Sequence, residues 1–159
     1  MFSLEVGYTL EAAIREAKNR RNSFFTPEHI LYALLFNQKI QEVIENCGGS
    51  VANIRHNLED YFERQIDKAD PQVTEIDPLK TPGIEVVLEN ALRHLRSSGK
   101  RELTALDLLV SIYTLEDSFA VFFLENENID RLSVIEYIAH GVSKVPMPKI
   151  DDSLVAEEE

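Results

Sequence analysis

The chain reads Phe25-Thr26-Pro27-Glu28-His29-Ile30-Leu31-Tyr32-Ala33-Leu34-Leu35 in its first half and Leu103-Thr104-Ala105-Leu106-Asp107-Leu108-Leu109-Val110-Ser111-Ile112 in its second. The second residue of each stretch is a threonine suited to cap a helix, and apolar residues three and four apart follow it. Proline after Thr26 is tolerated at a first helical position, and Asp107 completes a variant capping box with Thr104. Both stretches predict the start of a buried amphipathic helix.

The same signals predict eight helices over the whole chain and no strand of alternating pattern, so the predicted class is all-α. The fifth helix is the clearest, because Thr81 and Pro82 repeat the cap-and-proline start and an apolar stripe runs from there to Gly99. Capping residues also mark the fourth and eighth helices, at Ser50 and Asp130.

Thr104 follows Thr26 by 78 positions, and the other landmarks keep that spacing. At this shift apolar residues coincide, among them Leu88 with Leu10, Ala91 with Ala13, Leu109 with Leu31, Ile112 with Leu34, Val121 with Val43 and Ile129 with Val51. A constant spacing with shared caps indicates an internal duplication. We therefore predict two pseudo-twofold-related four-helix repeats that share one apolar seam of Leu31, Leu34, Leu88, Leu92, Leu109 and Ile112.

The domain organisation follows from where proline and charge replace helical periodicity. Repeat 1 is expected at about 4–66, a proline-containing loop at about 67–81 and repeat 2 at about 82–141, within one domain of residues 1–143. Residues 144–159 combine prolines with acidic residues, which is typical of a linker. We expect this acidic linker to lead to a further module.

Composition narrows the possible functions. Hydrophobic residues make up 44% and charged residues 28% of the 159 residues, as in globular proteins, and the net charge of −12 disfavours nucleic acid and anionic membrane surfaces as partners. The start of the chain lacks the features of a signal peptide, and no apolar run approaches the ~20 residues of a membrane span. A soluble, cytoplasmic protein is expected.

No motif predicts catalysis, a metal site or a bound cofactor in this chain. The glycines are not arranged as a phosphate-binding loop, and the histidines and Cys47 lack the spacing of zinc ligands. Cys47 is interpreted as a buried small apolar residue rather than a nucleophile. Glu28 and His29 could in principle form an acid–base pair, but an acidic residue in a first turn more often complements the helix dipole. We expect neither ATPase nor peptidase activity.

The first of the two stretches resembles the T-x-E-H-L-L-x-A-L-L signature of the Clp N-terminal repeat domain of Hsp100 unfoldases, and the duplication extends this resemblance over about 4–141. Three further segments are more similar to ClpA-type than to ClpB-type or ClpC-type domains. They are Leu92-x-x-Leu95-x-Ser97-Ser98-Gly99, Arg131-Leu132-Ser133-Val134-Ile135 and Ile138-Ala139-His140-Gly141.

This resemblance implies a non-catalytic domain, monomeric when isolated, that is tethered to two AAA+ rings which bind ATP, form a hexamer and feed substrate proteins to the ClpP peptidase. It also implies a ClpS-type adaptor as a partner. By position it assigns Glu28, Thr81, Asn90 and His94 to the adaptor-binding surface. The sequence departs from the family pattern at Ser23, where an acidic residue is usual, and at Asn90, where a basic one is.

Two alternatives remain open at this point. The chain could be the N-domain of a ClpC-like or ClpB-like Hsp100, or a free-standing helical interaction scaffold whose acidic tail is its end. A phosphate-binding loop beyond Glu159 would be expected only of an unfoldase. His94 lies beside the apolar stripe of the fifth helix, where periodicity does not separate plain surface from a contact site.

Overall fold

A computed structural model describes residues 2–141, and over this range the predicted all-α fold with eight helices is confirmed. The helices are α1 (Leu4–Asn19), α2 (Pro27–Leu34), α3 (Gln38–Asn46), α4 (Val51–Arg64), α5 (Pro82–Ser98), α6 (Ala105–Ile112), α7 (Phe119–Asn126) and α8 (Arg131–His140). Two short strands, β1 (Phe24–Phe25) and β2 (Leu79–Lys80), pair in parallel. They were not predicted, because two residues are too few to show an alternating pattern. The predicted linker at 144–159 lies outside the described residues.

Several helix starts are formed by the residues that the sequence indicated, although the Thr81 side chain makes no cap hydrogen bond at α5. Asp107 Oδ2 accepts from the Thr104 N–H at 2.9 Å while Thr104 Oγ1 accepts from the Asp107 N–H at 3.3 Å, so aspartate serves where glutamate is usual. Ser50 Oγ accepts from the Asn53 N–H at 3.1 Å. Local capping chemistry therefore places the helix boundaries.

The two repeats interlock about the predicted pseudo-twofold, which exchanges α1 with α5, α2 with α6, α3 with α7 and α4 with α8. Within the repeats α1 packs on α2 and α5 on α6. Between them α1 contacts α6 as α5 contacts α2, and α3 contacts α8 as α7 contacts α4. Helices α2 and α6 contact each other at the axis. Each repeat therefore completes the core of the other.

The extended segments that precede α1 and α5 also pair with the other repeat. The Thr81 N–H donates to the Phe25 carbonyl at 3.1 Å, and the Ser3 N–H donates to the Leu103 carbonyl at 3.0 Å. Ser3 and Thr81 are 78 positions apart, as are Phe25 and Leu103. The segment that leads into each repeat thus pairs with the other repeat.

The spacing between the repeats does not stay at 78. The left-handed residues that follow α3 and α7 are Gly48 (φ 90) and Asn128 (φ 62), which are 80 positions apart, and the caps Ser50 and Asp130 keep that spacing. The predicted coincidences of Val121 with Val43 and of Ile129 with Val51 are therefore wrong by two residues. The cause is a turn between α6 and α7 that is three residues longer than its counterpart, offset by one residue because α7 is one residue shorter than α3. Sequence periodicity registers neither change.

One apolar core runs through both repeats. Of the predicted seam, Leu31, Leu34, Leu109 and Ile112 are fully buried, whereas Leu88 and Leu92 are only partly buried at its edge. Helix α5 instead turns a neighbouring stripe inward, consisting of Ile84, Val87, Ala91 and Leu95. The seam is confirmed in four of its six positions.

Replacing Gly49 with alanine should destabilise the domain, because a Cβ there would lie 2.4 Å from Cδ1 of the fully buried Ile129. We expect a loss of about 1–3 kcal/mol in the free energy of unfolding, measured by urea denaturation. Ile129→Val removes the clashing methyl and should restore part of the loss in the double variant. Gly7→Ala is the control: nothing lies near its Cβ position in α1, so it should stabilise slightly. Equal effects of the two glycine substitutions would contradict this packing.

Candidate functional site

A groove of about 510 Å³ opens where the first turn of α2, the start of α5 and the turn between α6 and α7 meet. The helices approach closely at Gly83, where a Cβ would lie 3.0 Å from Pro27 Cγ and 3.2 Å from Leu115 Cδ1. Glu28, Glu116 and Asp117 line the groove, and no lysine, arginine or histidine is among the described residues that line it. We refer to it as the acidic groove.

The longer turn of repeat 2 builds one wall of this groove. Between the C-cap of α6 and the N-cap of α7 lie four residues, Thr114-Leu115-Glu116-Asp117, whereas Phe36 alone separates the corresponding caps in repeat 1. All four residues of the longer turn line the groove. The acidic groove is therefore a feature of repeat 2 that the duplication does not repeat.

Glu28 forms the floor of the groove and is only 4% exposed. Its Oε2 accepts from the Ala120 N–H at 2.9 Å, in the first turn of α7. A carboxylate at this position complements the positive end of the helix dipole, so Glu28 ties α2 to α7 across the two repeats. Burial, together with the negative charge of Glu28, raises the pKa of Tyr61 above its ordinary value. The carboxylate predicted to face a partner is engaged within the domain.

The other three predicted site residues lie on α5 or at its N-cap, but not in one place. Thr81 is half-buried at the N-cap and donates through Oγ1 to the Phe25 carbonyl at 3.3 Å. Asn90 Nδ2 donates to Thr114 Oγ1 at 2.7 Å, which links α5 to the wall of the groove. His94 is exposed and lies about 20 Å along the helix from Thr81.

His94 lines a separate cavity of about 270 Å³ between α5, α6 and α8, together with Lys100 and Arg131. The structure thus places two groups in the lining of the acidic groove, Glu28 and the Thr114 hydroxyl to which Asn90 donates. Thr81 immediately precedes the part of α5 that lines the groove. It places His94 at another opening.

The adjacent His29 belongs to a buried polar network. The Thr26 N–H donates to His29 Nδ1 at 3.0 Å, so Nδ1 is unprotonated and Nε2 donates to Asn22 Oδ1 at 3.0 Å. Asn22 Nδ2 in turn donates to the Phe62 carbonyl at 2.9 Å, and the His29 ring stacks on the Phe62 ring at 4.3 Å. Burial, with a smaller contribution from Arg20, lowers the pKa of His29 to about 3. His29 and Glu28 therefore engage different partners and do not form a pair.

Aromatic residues beside the groove were missed by the sequence analysis. Phe119 and Phe122 on α7 are 44% and 55% exposed. With the partly buried Phe123 and Tyr61 they form a cluster whose ring centroids are 4.8 Å (Tyr61 to Phe119), 6.0 Å (Phe119 to Phe123) and 5.9 Å (Phe122 to Phe123) apart. The signal was present: α7 is apolar on nearly all sides, although a short surface helix needs only one apolar face.

Other sequence predictions concern residues outside the groove. Cys47 is 2% exposed, which confirms its interpretation as a buried small apolar residue. Within residues 2–141 there is no group of three or more metal-ligating side chains. Over the same range no helix is both long and apolar enough to cross a lipid bilayer.

Comparison with known proteins identifies the family of this domain. Residues 1–127 match the Clp repeat (R) N-terminal domain family. The chain belongs to this family. The Clp N-terminal domain described here is 29% identical over 145 residues to a "ClpA homolog protein" of Fuscovulum blasticum, a match that covers 91% of the chain and 18% of that relative. The chain thus spans less than a fifth of the relative's length.

Solved structures share its fold. The Hsp104 N-terminal domain from Candida albicans superposes with a TM-score of 0.72 at 16% identity, covering 89% of this chain and 93% of that one. A ClpV N-domain, solved in complex with a VipB peptide, superposes with a TM-score of 0.67 at 21% identity, covering 90% and 89%. Structures of this family therefore share the helical fold at low sequence identity.

Replacing Glu28 with alanine should lower the free energy of unfolding by about 1–3 kcal/mol, because it leaves the Ala120 N–H without its buried acceptor. Glu28→Gln should lose less, since it retains an acceptor oxygen. Urea denaturation measures both variants. Glu116→Ala, at an exposed position of the same groove, is the control and should change stability by no more than about 0.5 kcal/mol. A Glu28→Ala variant as stable as the control would contradict the assigned role.

Lowering the pH should destabilise the domain through His29. Its folded-state pKa of about 3 lies below the unfolded value of about 6.5, so between these values the unfolded chain binds a proton that the native chain does not. Stability should fall by up to about 1.4 kcal/mol per pH unit below about pH 6.5. A His29→Gln variant should lack this component, and its stability should be compared with wild type from pH 7 to pH 4.5. Parallel profiles would refute the assignment.

Proposed function

We propose that this Clp N-terminal domain is a docking module of a ClpA-type Hsp100 unfoldase and holds adaptor and substrate polypeptides at the acidic groove. The observation that carries the proposal is the groove itself, an open site where Glu116 and Asp117, which form no ion pair within residues 2–141, lie beside exposed aromatic rings. Exposed aromatic side chains beside polar groups are typical of protein–protein contact sites. The complex of a ClpV N-domain with a VipB peptide supports this kind of partner.

The specific partner we propose is a ClpS-type adaptor. Three of the four positions that the family resemblance assigns lie around the groove: Glu28 in its floor, Asn90 bonded to its wall and Thr81 at the start of α5. His94 would extend the contact along α5 by about one helical turn beyond Asn90. In this proposal ATP binding, the hexamer and the ClpP peptidase belong to the larger protein, and residues 144–159 are the linker toward its AAA+ modules.

Specificity in this contact should reside in exposed side chains rather than in Glu28. Its carboxylate is already bonded to the Ala120 N–H, and it is nearly inaccessible. Substituting arginine at Glu28 would therefore disturb folding as well as docking. Asn90 and Thr114 form a polar rim that an adaptor can reach without rearrangement of the core.

Titration calorimetry with a ClpS-type adaptor tests the proposal. Asn90→Ala removes a rim donor and should weaken binding by about tenfold, or about 1.4 kcal/mol, and His94→Ala should weaken it less. Tyr8→Ala is a suitable control, because Tyr8 is 63% exposed on α1, outside the lining of the groove. Circular dichroism checks that each variant is folded. Full affinity in both α5 variants would place the docking surface elsewhere, and no binding by wild type would exclude the adaptor.

A further inference from the structure

The acidic groove continues into a small exposed aromatic depression of about 200 Å³ formed by Asp117, Ser118, Phe119 and Phe122. Phe119 and Phe122 are one turn apart on α7, and each ring is about half exposed. Two large aromatic side chains exposed together on a short helix form an apolar patch next to charged residues. Such patches commonly mark contact sites, because burying their surface on a partner is favourable.

The charged side chains that line this depression and the adjoining groove are all carboxylates within the described part of the chain. Glu116 and Asp117 are exposed, and neither forms an ion pair within the described part of the chain. Some carboxylates elsewhere on the described surface have a cationic partner, for example Glu85 with Lys80 at 2.6 Å. A partner that brings a positive charge would complement the groove, and such complementarity favours specificity and fast association.

Two donors at the N-terminus of α7 are already engaged within the domain. The Ala120 N–H is bonded to Glu28 and the Val121 N–H to Ser118 Oγ, so neither is available to an incoming anion. The negative rim and the neighbouring rings therefore remain as the features available to a partner.

The equivalent place in repeat 1 differs in its charges, although its one-residue turn, Phe36, is also an exposed aromatic ring. Its short turn contributes no carboxylate, Leu106 is the counterpart of Glu28 at the 78-residue spacing, and Lys39 lies in the first turn of α3. The Asn37 amide is bonded to Glu5 there. The pairing of carboxylates with exposed rings is consequently not a general consequence of the fold.

We infer that this surface recognises a polypeptide segment presenting an apolar side chain next to a lysine or arginine. The apolar side chain packs on Phe119 and Phe122, while the cationic group lies against Asp117 and Glu116. Because Asp117 and Phe119 are two residues apart, the two groups of the partner must be within a few residues of each other. The inference rests on the proposed docking function and adds to it the chemistry of the segment that is bound.

Three labelled peptides with the same glycine–serine background test this inference by fluorescence anisotropy. The first carries leucine next to arginine, the second has serine in place of leucine, and the third has glutamate in place of arginine. Wild type should bind the first at least tenfold more tightly than either of the others. Rising salt should weaken that binding, since the carboxylates are exposed.

Variants of the domain separate the two contributions. Phe122→Ser should lower affinity for the leucine–arginine peptide by about fivefold or more, and the double variant Glu116→Gln, Asp117→Asn should also remove most of its salt dependence. Tyr8→Ser is the matched control, because it removes a similarly exposed aromatic ring from α1. Thermal denaturation confirms that the variants are folded.

The outcomes distinguish this inference from the proposed function. If the glutamate peptide binds as well as the arginine peptide, or if Phe122→Ser binds like wild type, the inference is wrong. Adaptor binding measured on the same preparations then shows whether docking itself stands. If the domain binds the adaptor but shows no peptide preference, the docking function stands and the inference is wrong. If it shows neither adaptor binding nor a peptide preference, both are wrong.

Discussion

Mutual burial of the two repeats is the constraint from which the architecture follows. Neither four-helix unit closes its own core, because α1 and α5 each pack on the second helix of the other repeat and α3 and α7 each pack on the last. The exchanged backbone pairs, from Ser3 to Leu103 and from Thr81 to Phe25, join the repeats at both ends. Cooperative folding of the whole domain is expected of such an arrangement.

Within this symmetric frame the repeats have diverged in their polar residues. Position 29 is a histidine buried in a network with Thr26 and Asn22, whereas its counterpart Asp107 caps α6 and pairs with Lys100 at 2.7 Å. Both side chains accept a hydrogen bond from the N-cap backbone N–H of their helix, His29 through a neutral ring nitrogen and Asp107 through a carboxylate oxygen. Burial lowers the pKa of His29. At Asp107 burial is outweighed by the hydrogen bonds from Lys100 and Thr104, which lower its pKa. A fall in pH therefore weakens both caps.

The acidic groove results from an insertion placed on this rigid frame. The longer α6–α7 turn is carried by helices whose other faces lie in the common core, so the turn can change without loss of the fold. Glu28 connects this turn to α2 by bonding the first turn of α7. A site that is held from both repeats is pre-organised, which reduces the ordering cost of binding.

Much of the fold was predictable because its signals are local. Caps such as Thr104 and Asp130 and the apolar stripe of α5 act within one or two helical turns, and the 78-residue duplication indicated two repeats. The candidate site was only partly predictable. Glu28 was identified, but its burial follows from the approach of α7, ninety-two residues away in sequence.

The exposure of Phe119 and Phe122, the two-residue change of register and the separation of His94 from the groove depend on how helices meet in space. Periodicity within one helix carries no information on which neighbour covers which face. Sequence thus determined the helices, their caps and their duplication, because these are set by neighbouring residues. Tertiary structure alone decided which polar groups are buried and which aromatic rings remain exposed, because these depend on contacts between distant parts of the chain.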